Sequence, residues 1–286
     1  MNVVVITIAA LSGLGVCVAL LLYFVAQKFK VEEDPRIDDV TNELPGANCG
    51  GCGFPGCRAF AEAFIKTDDI SDMKCPAGGD ELLEKIAGMI GKVAPITEPK
   101  IAVVRCNGTC ENRPKQNRYE GAVSCAVSVA LYGGETGCYY GCRGFGDCVA
   151  VCKFEAIYMD KTTELPVVIE EKCVACGACV KACPKNLIEI RKTGPKSRRI
   201  YVSCMNRDKG AIARKACAVA CIGCGKCQKV CKFDAITIEN NLAYIDYNKC
   251  KICRKCVEEC PTNAIVEVNF PPRKPKQEEA ESVENK

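Results

Sequence analysis

CVACGACVKACP, Cys173 to Pro184, and CKICRKCVEECP, Cys250 to Pro261, share one spacing: C-x2-C-x2-C-x3-C-P. Two-residue spacers let a tight loop aim three sulfurs at one centre. The fourth cysteine lies past the loop, where the following proline turns the chain toward a second centre. That run is the ligand pattern of paired cubane iron–sulfur clusters, in which the fourth cysteine serves the other cluster. Zinc ribbons instead pair two C-x2-C knuckles across a gap. Disulfides join distant segments, which such tight groups do not suit. The two stretches therefore predict [4Fe-4S] clusters, with a structural zinc protein as the competing class.

Each run closes one copy of an internal duplication. Val123 to Ile157 and Val202 to Ile236 both begin V-S-C, at Cys125 and Cys204. Both place cysteines at matched intervals, Cys138, Cys142 and Cys148 against Cys217, Cys221 and Cys227. Both end V-C-K-F-[ED]-A-I, at Cys152 and Cys231. Exchanging the fourth ligand within each copy gives the expected sets. Cys221, Cys224, Cys227 and Cys260 form one, and Cys231, Cys250, Cys253 and Cys256 its partner. Cys152, Cys173, Cys176 and Cys179 form the third. In the remaining set Phe145 stands where the second copy has Cys224. Cys138 is the expected substitute, beside Cys142, Cys148 and Cys183. A second departure is Lys153 and Lys232, where the ferredoxin pattern has proline after the fourth cysteine.

Upstream, GANCGGCGFPGC (Gly46 to Cys57) and Cys75 read C-x2-C-x4-C-x17-C-P. In a chain already built for cubanes, Cys49, Cys52, Cys57 and Cys75 are the ligands of one more. A helix beginning after Cys57 would turn its positive end toward the cluster, with Phe60, Ala63 and Phe64 on its inner face. Five clusters are thus expected. Cys106, Cys110, Cys125, Cys204 and Cys217 remain, either as buried thiols or as ligands of a sixth. Cys17 falls in the first apolar segment.

The whole chain supports this reading. Its 286 residues include 26 cysteines but neither histidine nor tryptophan. Lacking histidine, it can have no histidine-ligated haem, Rieske centre or His-based general base. Val3 to Ala26 carries no charge, and as a helix it reaches roughly 36 Å, enough to span a bilayer. Lys28 and Lys30 follow it, which places the bulk of the chain in the cytoplasm by the positive-inside rule. The absence of a basic leader segment argues against a cleaved signal peptide. Val31 to Lys100 is acidic, with 14 Asp and Glu against 7 Lys and Arg. DELLEKIAGMIGK reads as a second helix, and Pro95 and Pro99 mark a linker. The expected organisation is an anchor at 1–28, a cluster domain at 29–94 and α+β modules at 101–192 and 199–269. A polar, disordered tail follows at 270–286. No basic motif with interleaved aromatics supports nucleic-acid binding.

An N-terminal anchor, then GANCGGCGFPGC…KCPAGG, then ferredoxin-type modules, resembles the B component of the Rnf (Rsx) complexes. These are ion-translocating ferredoxin:NAD oxidoreductases. The resemblance covers nearly the whole chain, and NCGGCGFPGC beside the anchor is its specific part. It implies an inner-membrane electron-relay subunit that takes electrons from reduced ferredoxin and passes them to other subunits of the complex. It also implies that the NAD site and ion path lie elsewhere, and the sequence agrees. There is no G-x-G-x-x-G on a strand–helix unit, no P-loop and one apolar span. The alternative is a polyferredoxin subunit of a membrane hydrogenase or formate dehydrogenase. Lys172 to Lys232 holds 15 Lys and Arg against 2 Asp and Glu. Within it, RKTGPKSRR suggests a docking patch for an acidic ferredoxin at Lys196, Arg198 and Arg199.

Overall fold

The structure, a computed structural model, describes residues 3–28, 34–71, 73–94, 98–131 and 134–272. Helix α1 (Val3–Lys28) stands apart. Helices α2 (Arg36–Glu43), α3 (Cys57–Lys66) and α4 (Gly79–Met89) form an N-terminal unit. The first module holds β1 (Lys100–Val104), α5 (Cys125–Leu131), α6 (Asp147–Ala150), β2 (Ile157–Met159), β3 (Pro166–Val168), α7 (Ala178–Ala182) and β4 (Ile188–Lys192). The second holds β5 (Arg199–Val202), α8 (Gly210–Ala216), α9 (Lys226–Lys229), β6 (Ile236–Glu239), β7 (Leu242–Ile245), α10 (Lys255–Glu258) and β8 (Ile265–Val268).

The apolar span forms a helix because it holds no proline to break the ladder, and nothing among the described residues covers it. Val5–Val25 has a mean hydropathy of 2.6 and none of it is buried. It is the one helix among the described residues long and apolar enough to cross a membrane.

The N-terminal unit closes around Ile37, Val40, Phe60, Phe64, Leu83 and Ile86. Phe60 stacks on Phe64 at 5.5 Å and meets Phe54 edge-on at 5.7 Å. Ala61, rather than Ala63, completes the buried face of α3. The Lys92 ammonium donates to the carbonyls of Phe64 at 3.0 Å and Ile65 at 3.2 Å, satisfying groups that α3 leaves open at its C-terminus.

The duplication appears in the sheets. In each copy the first strand pairs antiparallel with the last, and the two middle strands form a hairpin. Thus Ala102 faces Ile190 in the first module, and Tyr201 faces Val266 in the second. The cores are thin, because cysteines occupy much of the interior. The modules join through Ile101 and Val103 of β1 against Tyr201 of β5.

Arginines tie this seam. Arg191 is 1% exposed; it donates to Ile245 O at 2.6 Å and Ile200 O at 3.3 Å, and its other partner is Glu189. Arg199 is also buried and grips Glu170 at 2.5 Å, which holds that carboxyl below its ordinary range. The expected docking patch is corrected accordingly. Arg199 is a structural joint, Arg198 is half-buried, and only Lys196 of the three is exposed. Charge counting cannot distinguish a basic surface from arginines drawn inward by carbonyls and glutamates. Pro95 and residues 273–286 lie outside the described residues, so neither the first linker proline nor most of the expected tail is described.

Candidate metal centres

The ligand loops of the two modules take one backbone form. In Cys173–Cys179 the residues flanking the middle cysteine, Ala175 and Gly177, have φ of 52° and 77°. Gly223 and Gly225 repeat this at 63° and 78°, and Ile252 and Arg254 at 48° and 70°. Two left-handed residues reverse the chain around the middle cysteine, so the loop becomes a cup with its sulfurs inward. A non-glycine residue is strained there, and the Arg254–Glu267 pair at 2.6 Å braces one such position. A short helix follows each cup.

Three of the expected sets each line one cavity. Cys49, Cys52, Cys57 and Cys75 line the first. Cys152, Cys173, Cys176 and Cys179 line another, and Cys221, Cys224, Cys227 and Cys260 a third. Burial raises the proton affinity of Cys250, the Ile252 N–H opposes it, and Cys253 and Cys231 add to the rise. Burial, then Cys250 and Cys253, push Cys256 up to about 12.

The exception lies in the first module. The fourth cavity is lined by Cys142, Cys148, Cys183 and Cys125, and Cys138 is not on its wall. The loop keeps its form without its middle cysteine: Gly144 and Gly146, on either side of Phe145, have φ of 80° and 82°. Asp147, where the second copy has Lys226, accepts from Cys125 N–H at 2.9 Å, Ala126 N–H at 3.0 Å and Ser124 Oγ at 3.0 Å. That carboxylate caps α5 and swings Cys125 over the gap. Burial raises the proton affinity of Cys125, against the backbone N–H groups of Asp147, Phe145 and Gly146, which favour its thiolate. Asp147 was the signal available in the sequence: a helix-capping acid on the one loop that lacks a ligand.

These donor sets fit a cluster better than a single ion. A tetrahedral zinc with Zn–S near 2.3 Å holds its sulfurs within about 4 Å of one another. Among the described residues no three Cys, Asp or Glu side chains are gathered for a single metal ion. Backbone N–H groups reach the sulfurs at 3.4 Å, from Ala156 to Cys152, Leu187 to Cys183 and Ile252 to Cys250. Such bonds tune cluster potentials.

Neighbouring sets touch. A Cβ on Gly51 would come within 2.7 Å of Cys176 Cβ, so the N-terminal loop lies against the Cys176 loop. Lys153 fastens this contact by donating to Ala47 O and Asn48 O, each at 3.1 Å. The departure from proline at 153 therefore has a use. Cys148 is pushed up to about 12 by burial and then by Cys125, Cys183 and Cys179. In the second module Cys227 bears likewise on Cys256.

The same regions match families of iron–sulfur proteins. Residues 44–76 match a family model named for an Fe-S cluster. Residues 138–187, 220–264 and 172–235 match models described as 4Fe-4S dicluster domains. The B component of the Na(+)-translocating ferredoxin:NAD(+) oxidoreductase complex of Acetobacterium woodii is 45% identical over 93% of this chain and 78% of its own. The B component of the proton-translocating ferredoxin:NAD(+) oxidoreductase complex of Clostridium ljungdahlii is 39% identical over 93% of both chains. The B component of an ion-translocating oxidoreductase complex of Methanosarcina acetivorans is 39% identical over 92% of this chain and 98% of its own. With its 4Fe-4S domains, the chain belongs to the B-component family of Rnf-type ion-translocating ferredoxin:NAD oxidoreductase complexes, where it serves as an electron relay.

Proposed function

We propose that this chain relays electrons through five [4Fe-4S] clusters, from reduced ferredoxin toward other subunits of the complex. The ligand sets are Cys49, Cys52, Cys57 and Cys75; Cys125, Cys142, Cys148 and Cys183; Cys152, Cys173, Cys176 and Cys179; Cys221, Cys224, Cys227 and Cys260; and Cys231, Cys250, Cys253 and Cys256. The observation that carries the reading is that four of these sets each line one cavity. When bound, each cluster supplies a one-electron carrier whose potential depends on charge, hydrogen bonds and exposure. The residues supply position. Gly51 against Cys176 joins the N-terminal set to the first module, and Cys148 against Cys179 joins that module's two sets.

Helix α1 is the single membrane anchor in this reading, with the modules on the cytoplasmic side. A chain lacking residues 1–28 should purify without detergent and keep its full iron content. Continued membrane binding by that chain would sink the anchor assignment.

Acidic ferredoxin docks at the second module. Cys224 and Cys253 are exposed there, and the nearby lysines Lys226, Lys251 and Lys255 are exposed too. Basic charge at an exposed cluster edge steers and orients an acidic donor. Reversing the three lysines to glutamate should slow reduction by ferredoxin at low salt and flatten its salt dependence, with iron unchanged. An unaltered rate at low ionic strength would exclude this face.

The experiment that tests the relay uses Gly51. Gly51→Val places a side chain into Cys176, forcing the two loops apart. Both clusters should remain, while electron exchange between the N-terminal cluster and the first module slows, as followed by freeze-quench EPR. Unchanged exchange would remove this contact from the route.

A further inference from the structure

We propose that Arg191 and Arg105 hold one unbalanced positive charge in the seam between the modules, and that this charge raises the reduction potential of the cluster on Cys231, Cys250, Cys253 and Cys256. The proposal rests on the cubane reading of that set, and it gives a role to side chains that hold no iron.

The charges in the seam do not cancel. Arg105 is 6% exposed and Arg191 1%. Both pair with Glu189, Arg105 at 3.4 Å, and neither has a second carboxylate among the described residues. Two guanidinium groups thus share one carboxylate. Their other donors go to neutral carbonyls: Arg105 Nε to Val202 O at 3.3 Å, Arg191 Nη1 to Ile200 O at 3.3 Å and Nη2 to Ile245 O at 2.6 Å. Arg105 Nη2 is buried without a partner. Tyr244 lies 5.1 Å from the Arg105 guanidinium, and it shares Arg191 with Tyr201 and Tyr247. Ring faces attract a cation but carry no net charge. A buried charge without a counter-charge is costly, so the seam calls for an anion close by.

The contacts of Arg191 lead to the Cys250 loop. Its acceptor Ile245 is fully buried, in the core that Cys256, Cys231 and Cys250 share. The next residue, Asp246, accepts the Cys250 N–H at its carbonyl, at 3.0 Å. Arg191 therefore grips the carbonyl of the residue just before the one that anchors a ligand's backbone. Lys249, Lys251 and Lys255 are also on this loop, but they are exposed, where water and salt screen them. The Asp246 carboxylate opposes the guanidinium; it accepts from Asn248 N–H at 2.8 Å.

The charge is not a property of the repeated module. Glu189 and Arg191 stand six and eight residues after Cys183, and Val266 and Val268 hold those places after Cys260. The first module thus extends a cation toward a cluster of the second, and β8 returns none from the matching positions. Reduction adds an electron to a centre that four thiolates already make anionic. A fixed cation in a low-dielectric interior favours that reduced form. An electron entering the second module is drawn to the cluster that borders the first.

The test is an EPR-monitored redox titration of the full-length chain purified anaerobically in detergent, with iron counted in every variant. The signal that Cys253→Ala loses or alters identifies the cluster. Arg191→Met should lower its midpoint by about tenfold in the reduction equilibrium, about 59 mV for one electron, and leave the first module's midpoints in place. Arg191→Lys should stay near the wild-type value. Arg105→Met, which keeps the Arg191 contacts, should lower the same midpoint and serves if Arg191→Met fails to fold. Glu189→Gln removes the shared carboxylate and should raise it. These opposite signs separate charge from disturbance, since a loosened seam would move the midpoint the same way in every variant. An unchanged midpoint in Arg191→Met and Arg105→Met, or shifts of one sign in these and Glu189→Gln, would overturn the proposal while a full iron count leaves the cubane reading intact. A wild type without iron would overturn both.

Discussion

Anaerobic removal of iron should dismantle the second module rather than leave an empty shell. Five of the fifteen buried residues in its core are cysteines: Cys204, Cys217, Cys221, Cys227 and Cys256. Its strands are four residues long, and α9 and α10 are single turns. The aliphatic remainder, including Val202, Ile236 and Ile245, is small for a domain of this length. Here metal binding is folding free energy. The chelated protein should lose cooperative unfolding of this module and amide protection across β5 to β8, as read by hydrogen exchange. The N-terminal unit, with Phe60, Phe64, Leu83 and Ile86 in its core, should retain more of its helix. A chelated chain that unfolds cooperatively within a few degrees of the iron-loaded one would show that the cysteines are ordinary core residues.

Arg191→Met should cost about 3–5 kcal/mol, the range for removing one partner of a buried ionic network. Methionine preserves much of the volume, so the loss is electrostatic. It strands the carbonyls of Ile200 and Ile245 and leaves Glu189 with Arg105 at 3.4 Å. It also empties a site that Tyr201, Tyr244 and Tyr247 surround at 5.2–5.7 Å from the guanidinium. Denaturant unfolding of the iron-loaded protein measures this. A loss below about 1 kcal/mol would mean the seam does not depend on that cation, since surface pairs contribute no more than that.

The cysteine runs were legible because spacing alone dictates a cup of converging sulfurs. The swap of the fourth cysteine could be expected because in this motif it serves the other cluster, and Cys152, Cys183 and Cys260 do line the cavities of the opposite loops. Cys125 was not, since a 13-residue interval says nothing about which helix Asp147 will cap. The basic run misled for a related reason. Arg191 and Arg199 look like surface charge until the sheets bring Glu189 and Glu170 beside them. Gly51 and Lys153 could be noticed in the sequence, but not their contacts, Gly51 with Cys176 and Lys153 with Ala47 and Asn48, which join residues more than a hundred positions apart.

The central claim is that the grouped cysteines hold iron–sulfur clusters. Its most direct test is quantification of iron, acid-labile sulfide and zinc in the anaerobically purified chain, with its visible spectrum. The account predicts a brown protein with at least about 20 irons and as many sulfides, four of each for every cluster, and a spectrum that bleaches on reduction. A colourless protein containing zinc and no sulfide would contradict it.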